Sequence, residues 1–62
     1  MTLREARIRM SMTQQSVGER LSVAEATYGC WERGDKMIPE NRKRQMEALF
    51  GTKEIEYPEF RG

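Results

Sequence analysis

The sequence predicts an all-α, compact domain of four to five short helices, and three of its features carry that expectation. Apolar residues recur at three- and four-residue spacing in four separate segments, the stripe that an amphipathic helix buries. Helix-start signals stand ahead of these segments, in Thr2 with Glu5, at Thr13 and at Pro39. Gly34 and Gly51 follow two of them, where helices commonly stop. No repeat, low-complexity tract or long linker intervenes.

Thr2 and Glu5 form a T-x-x-E capping box, which predicts a first helix over 3–10 with Leu3, Ala6 and Met10 on its buried stripe. Ser11 interrupts it. Thr13 is the expected cap of a second helix over 13–21, with Val17 and Leu21 turned inward. A third helix is expected over 24–32. Ala24, Tyr28 and Trp31 share its apolar face, and Glu25, Ala26, Gly29 and Cys30 fall at the spacing of an exposed surface. A loop then runs from Gly34 to Pro39, which suits the first turn of a fourth helix over 40–50. Met46, Leu49 and Phe50 supply that helix's apolar side. These helices make up a domain over 1–51. Residues 52–62 form a short acidic tail broken by Pro58, with room for one more helical turn around Lys53–Glu56 and for a share in a dimer seam.

Gly18 and Gly29 each stand inside an expected helix, where glycine costs about 1 kcal/mol relative to alanine. Gly18 is expected at a contact with the third helix. Gly29, on the outward face, would let an outside object approach the backbone.

Composition narrows the function classes. A chain of 62 residues holds one domain and buries only about 60% of its unfolded surface. With one cysteine and no histidine it has no internal disulfide, no Cys/His zinc site and no histidine-based catalysis. No cofactor, metal or small-molecule ligand is expected, and an enzyme is not expected. No apolar run approaches the roughly 20 residues that cross a bilayer, and the absence of a secretory leader points to the cytoplasm. The net charge is only +1. Residues 1–50 carry nine Lys/Arg against seven Asp/Glu, and residues 51–62 carry two against three. Basic residues cluster at Arg4, Arg7 and Arg9 and again at Arg42, Lys43 and Arg44, and charge alone favours ordinary solvated helix faces for both.

The run Met12-Thr13-Gln14-Gln15, Gly18, Leu21, Val23, Tyr28 and Trp31-Glu32-Arg33-Gly34 resembles the lambda-repressor and Cro-type helix-turn-helix family, also called the Xre family. Leu3 to Arg7 matches its first helix, and Pro39 with 46–51 its later ones, so the resemblance spans 3–51. It implies a helix 3 in the DNA major groove and a helix 2 across the backbone. It assigns base reading to Glu25, Ala26, Gly29 and Cys30, and Arg33 is placed to reach a base edge from the helix end. Phosphate contacts fall to Thr13, Gln14, Lys36, Arg42 and Lys43, with Arg33 as a further candidate. Arg7 and Glu32 match a structural salt bridge between helices 1 and 3.

The sequence departs from the family pattern in three places. Ser22 stands where the family usually places a glycine in left-handed backbone. Ala24 replaces the usual Ser/Thr cap, although Ser22 with Glu25 offers a cap one turn earlier. The reading face has no Arg, Lys, Gln or Asn, the side chains that grip guanine and adenine. Glu25 could accept from cytosine N4 and Ala26 could pack on a thymine methyl, so specificity would be modest or would draw on DNA shape.

Other residues have plainer expectations. Trp31 belongs to the core rather than to a stacking platform, and Tyr28 could turn its hydroxyl to solvent or a phosphate. Cys30 reads as an incidental thiol, and the five methionines as adaptable core filler. Ile8 is expected against the tail or a dimer seam. The leading expectation is therefore a Cro- or repressor-like regulator, of phage or mobile-element type. It would bind double-stranded DNA as a homodimer on a palindromic site and act by promoter occlusion. The alternative is a protein-interaction module, an antitoxin or antirepressor partner, with weak DNA binding of its own.

Overall fold

A computed structural model describes residues 1–61. It contains four helices, α1 (Leu3–Arg9), α2 (Gln14–Leu21), α3 (Glu25–Arg33) and α4 (Glu40–Phe50), so the fold is all-α as the sequence predicts. The Cα radius of gyration is 10.3 Å, close to the roughly 10.6 Å expected of a compact chain of this length. The core is one cluster of Leu3, Ala6, Val17, Leu21, Tyr28, Trp31, Ile38, Met46 and Phe50, to which every helix contributes.

Helix starts follow the side-chain chemistry. Thr2 and Glu5 close a complete capping box on α1, and Thr13 forms another on α2 with Ser16 as its partner. Pro39 precedes α4 as its cap rather than lying inside the first turn. The cap of α3 is Ala24, with no side-chain hydrogen bond. The expected Ser22–Glu25 cap does not form, because Ser22 is committed to left-handed backbone at φ 60°.

Helix ends share one solution. Each helix is followed by a residue with positive φ: Ser11 (56°), Ser22 (60°), Gly34 (81°) and Gly51 (69°). After α2, the N–H of Val23 donates to Gly18 O at 2.8 Å; after α3, that of Asp35 donates to Cys30 O at 2.9 Å. These six-to-one bonds are Schellman motifs, which satisfy carbonyls the helix leaves open. The motif places Met12 and Val23 against the core directly after the two serines. Ser11 thus occupies a turn as tight as that at Ser22, although sequence reading marks it only as an interruption.

Several expected placements change. Met10 is 49% exposed and leaves the α1 stripe to Leu3 and Ala6. Ala24 is exposed, so the inward face of α3 consists of Tyr28 and Trp31, whose rings meet edge-on with centroids 6.4 Å apart. Ile38 lies in the loop before Pro39 as expected, but it is buried there. Ile8 remains half exposed. Of the methionines, only Met46 is fully buried. Met1 and Met12 pack at the edge of the core, and Met10 and Met37 face outward.

Residues 53–56 form no helical turn. The tail instead runs back over its own helices in extended form. Glu56 pairs with Thr2 in a single parallel bridge, its N–H donating to Met1 O at 2.7 Å. Ile55 and Tyr57 pack on the core, and the Tyr57 hydroxyl lies 3.2 Å from both Lys43 O and Glu47 Oε2 on α4.

Candidate nucleic-acid interface

The candidate surface is built on α2, the turn at 22–24 and α3. Gly18 makes their close packing possible. A Cβ there would stand 2.8 Å from Val23 O, too near for any real side-chain carbon. The expectation that Gly18 marks a helix–helix contact therefore holds, and the obstacle is the backbone of the turn itself.

One polar network fixes the two helices to α1. Arg7 Nε donates to Glu32 Oε2 at 2.6 Å, and Arg7 Nη1 donates to Met12 O at 2.9 Å. Gln14 Nε2 donates to Glu32 Oε1 at 3.0 Å. The Arg7 and Glu32 side chains are 12% and 4% exposed, so this is a nearly buried ion pair with most of its hydrogen-bonding capacity filled. Burial pushes the Glu32 carboxyl up, but the bonds from Arg7 and Gln14, with the Tyr28 hydroxyl nearby, outweigh it and hold the group below the ordinary carboxylate range. The pairing matches the sequence expectation for Arg7 and Glu32. The part played by Gln14 does not follow from spacing, because it joins residues 18 positions apart.

Tyr28 is fully buried, and its hydroxyl has no hydrogen-bond partner at bonding geometry among the described residues. The expectation that this hydroxyl faces solvent or a phosphate is thus corrected. Burial, then the neighbouring Glu32 carboxylate, push its ionisation far above the ordinary tyrosine range.

The base-reading candidates divide. Glu25 and Ala26, in the first turn of α3, are exposed, and no side-chain bond engages Glu25 among the described residues. Cys30 is half-buried, and Arg33 is exposed at the helix end. Gly29, expected on the outward face, is buried. The reason is that Gln14 lies across it: a Cβ on Gly29 would stand 3.3 Å from Gln14 Oε1 and 3.2 Å from Arg33 Nη1. The open backbone expected at this glycine is covered by two side chains of the same chain. Arg33 Nε donates to Asp35 Oδ2 at 2.8 Å, and its Nη2 lies 3.5 Å from Cys30 Sγ. Cys30 therefore has a basic neighbour in space that its sequence neighbourhood does not announce.

The phosphate candidates divide too. Thr13 is exposed at the start of α2, and the backbone N–H groups of Gln14 and Gln15 make no hydrogen bond among the described residues. Lys36 is exposed in the loop after α3. The Gln14 side chain, by contrast, is held by Glu32. Arg42 donates through Nη1 to Leu21 O, closing the C-terminal end of α2, and to Gln45 Oε1 at 3.0 Å. Lys43 lies 3.5 Å from Glu40 Oε1 and 5.1 Å from the centroid of the Tyr57 ring. Arg42 and Lys43, the two residues of α4 expected to meet phosphate, thus have structural employment.

No helix among the described residues is long and apolar enough to cross a membrane. A surface hollow between Arg44, Glu47, Ala48, Gly51, Thr52 and Lys53 involves no residue of α2 or α3. No family model, curated protein or solved structure matches this chain.

Proposed function

We propose that this protein is a sequence-specific, duplex-DNA-binding transcriptional regulator of the Cro or repressor kind. It enters the major groove with α3, binds a palindromic site as a homodimer, and acts in the cytoplasm by covering a promoter, without enzymatic activity, a cofactor or a small-molecule ligand. The observation that carries this reading is the asymmetry of α3. Its middle is anchored by Tyr28, Trp31 and the Arg7–Glu32 pair, while its first turn presents Glu25 and Ala26 with nothing packed on them. A recognition helix works in this way, reading base edges with N-terminal side chains from a rigid support.

The start of α2 adds to the argument. Exposed Thr13 and the open N–H groups of Gln14 and Gln15 sit at the positive end of a helix dipole, a suitable seat for phosphate oxygen. The domain measures 28 × 23 × 19 Å, a size at which two touching copies can set their α3 helices one DNA turn, roughly 34 Å, apart. Ile8, Met10, Met37 and Phe60 are the large apolar side chains left exposed for such a contact.

The test is an amide-shift titration of the free protein with duplex DNA. Shifts centred on Thr13 to Gln15 and Glu25 to Ala26 are expected. Shifts confined to α4 and the tail would contradict the reading.

Glu25 motivates a second reading. An exposed carboxylate leads the proposed reading face, and no Lys, Gln or Asn shares α3 with it. A protein partner with a basic surface would suit that face better than phosphate does. Co-purification of a stable partner with only non-specific DNA binding would favour this alternative.

A further inference from the structure

The last residues of the tail meet the C-terminal end of α3. Gly34 presents its Cα to Glu59, so closely that a Cβ would stand 2.5 Å from Glu59 O. Arg61 N–H donates to Gly34 O at 2.9 Å, and Arg61 Nη2 donates to Arg33 O at 2.9 Å. A guanidinium on the last carbonyls of a helix is favoured both by the open acceptors and by the negative end of the dipole. The other end of this segment is fixed by the Glu56–Met1 bond and by Tyr57 on α4.

Arg33 is the only basic side chain of α3 and stands at its last position. Asp35 holds its Nε at 2.8 Å and Cys30 Sγ lies 3.5 Å from Nη2, so meeting a base with the Nη edge requires only this weak sulfur contact to be given up. That edge can grip guanine O6 and N7 only if the backbone at 33 and 34 is fixed, because a two-bond fork tolerates little displacement. Both carbonyls at that point are held by Arg61.

We propose that residues 58–61 form a strap that sets the position of the α3 C-terminus, and that Arg61 is a positioning residue for Arg33 in DNA recognition. This rests on the DNA-binding reading above. Arg61 acts through the backbone and does not itself touch DNA.

The test compares wild type, Arg33→Ala, Arg61→Ala and Arg61→Pro of the full chain. Arg61→Ala removes the guanidinium bond, and Arg61→Pro removes the N–H bond as well. Amide hydrogen exchange is measured on the free proteins. Base preference and salt dependence are measured on duplex DNA. Exchange at Asp35, whose N–H closes α3 onto Cys30, is expected to quicken in Arg61→Pro. The base preference lost in Arg33→Ala, about five- to hundredfold at one base pair, is expected to be lost in Arg61→Pro and weakened in Arg61→Ala. Preference at the positions read by Glu25 and Ala26 is retained, and the salt slope is unchanged.

Unchanged exchange at Asp35 overturns the strap. Full base preference in Arg61→Pro, where Arg33→Ala loses it, overturns the positioning role. Equal weakening on all sequences in Arg61→Ala, with a salt slope smaller by about one, makes Arg61 a phosphate contact instead. A wild type with no base preference ends both the DNA reading and the role in recognition, while quickened exchange at Asp35 still registers the strap by itself.

Discussion

The side-chain amide of Gln14 donates to Glu32 at 3.0 Å while its carbonyl end lies over Gly29, so one residue of α2 both completes the buried ion pair and covers the backbone of α3. The Arg7–Glu32 pair is consequently a three-residue unit. Removing one member of a nearly buried pair leaves a charge without compensation and costs about 3–5 kcal/mol. A domain of this size has only roughly 3–9 kcal/mol in all. Glu32→Gln is therefore predicted to lose most of its stability in urea denaturation, whereas Arg7→Met with Glu32→Gln is predicted to be markedly more stable than Glu32→Gln alone.

The same pair sets the acid response. The folded pKa of Glu32 lies below its unfolded value, so its contribution is complete above the ordinary carboxylate range. It is lost as pH falls through the lower folded value. Midpoint denaturation against pH is predicted to fall on acidification in wild type, and less steeply in the Arg7→Met, Glu32→Gln variant.

The left-handed residues give a prediction of opposite sign. Ser11 and Ser22 hold φ values of 56° and 60°, where glycine carries no Cβ penalty. Ser11→Gly and Ser22→Gly are each predicted to raise stability by up to about 1 kcal/mol, offset in part by unfolded-chain entropy. Gly18→Ala is predicted to lower it despite alanine's better helix propensity, because its Cβ would meet the carbonyl of Val23. Thermal midpoints of the three variants check both signs.

Gly29→Ala separates surface from stability. The atoms its Cβ would meet are the ends of the Gln14 and Arg33 side chains, which can give way. Stability is predicted to change by less than about 1 kcal/mol, the propensity gain offsetting the displacement. Heteronuclear spectra are predicted to show shifts concentrated at Gln14 and Arg33.

Tyr57 reports on the tail. Burial, then the Glu47 carboxylate, push its phenol up to about 12. A raised folded pKa means the stabilisation is full below the unfolded value near 10 and is lost as pH rises through 12. A spectroscopic titration is predicted to show tyrosine ionisation delayed beyond 10 in wild type. Ionisation near 10 in the folded chain would show that the tail does not pack.

Much of this fold was legible in the sequence. The capping box at Thr2, the cap at Thr13, the inward Val17, Leu21, Trp31 and Met46 and the close contact at Gly18 all follow from local rules, while the left-handed turn at Ser22 follows only from the resemblance. So does the Arg7–Glu32 pair. What escaped depends on distant partners. Helical spacing places Gly29 outward, and it is the reach of Gln14 from another helix, with Arg33 from the end of the same one, that covers it. The resemblance places Arg42 and Lys43 at phosphate. A C-terminal carbonyl of α2 and the ring of Tyr57 claim them instead. The tail has room in the sequence for a helical turn around Lys53–Glu56, but alternating Ile55 and Tyr57 are buried by an extended path instead.

The central claim is sequence-specific reading of duplex DNA, and selection of purified protein on random duplexes at near-physiological salt tests it most directly. Recovery of a short palindrome is expected, bound at least about a thousandfold more tightly than unrelated sequence, with half-sites one helical turn apart. Recovery of no motif, with weak binding that disappears as salt rises, would contradict that claim, because only phosphate attraction would then remain.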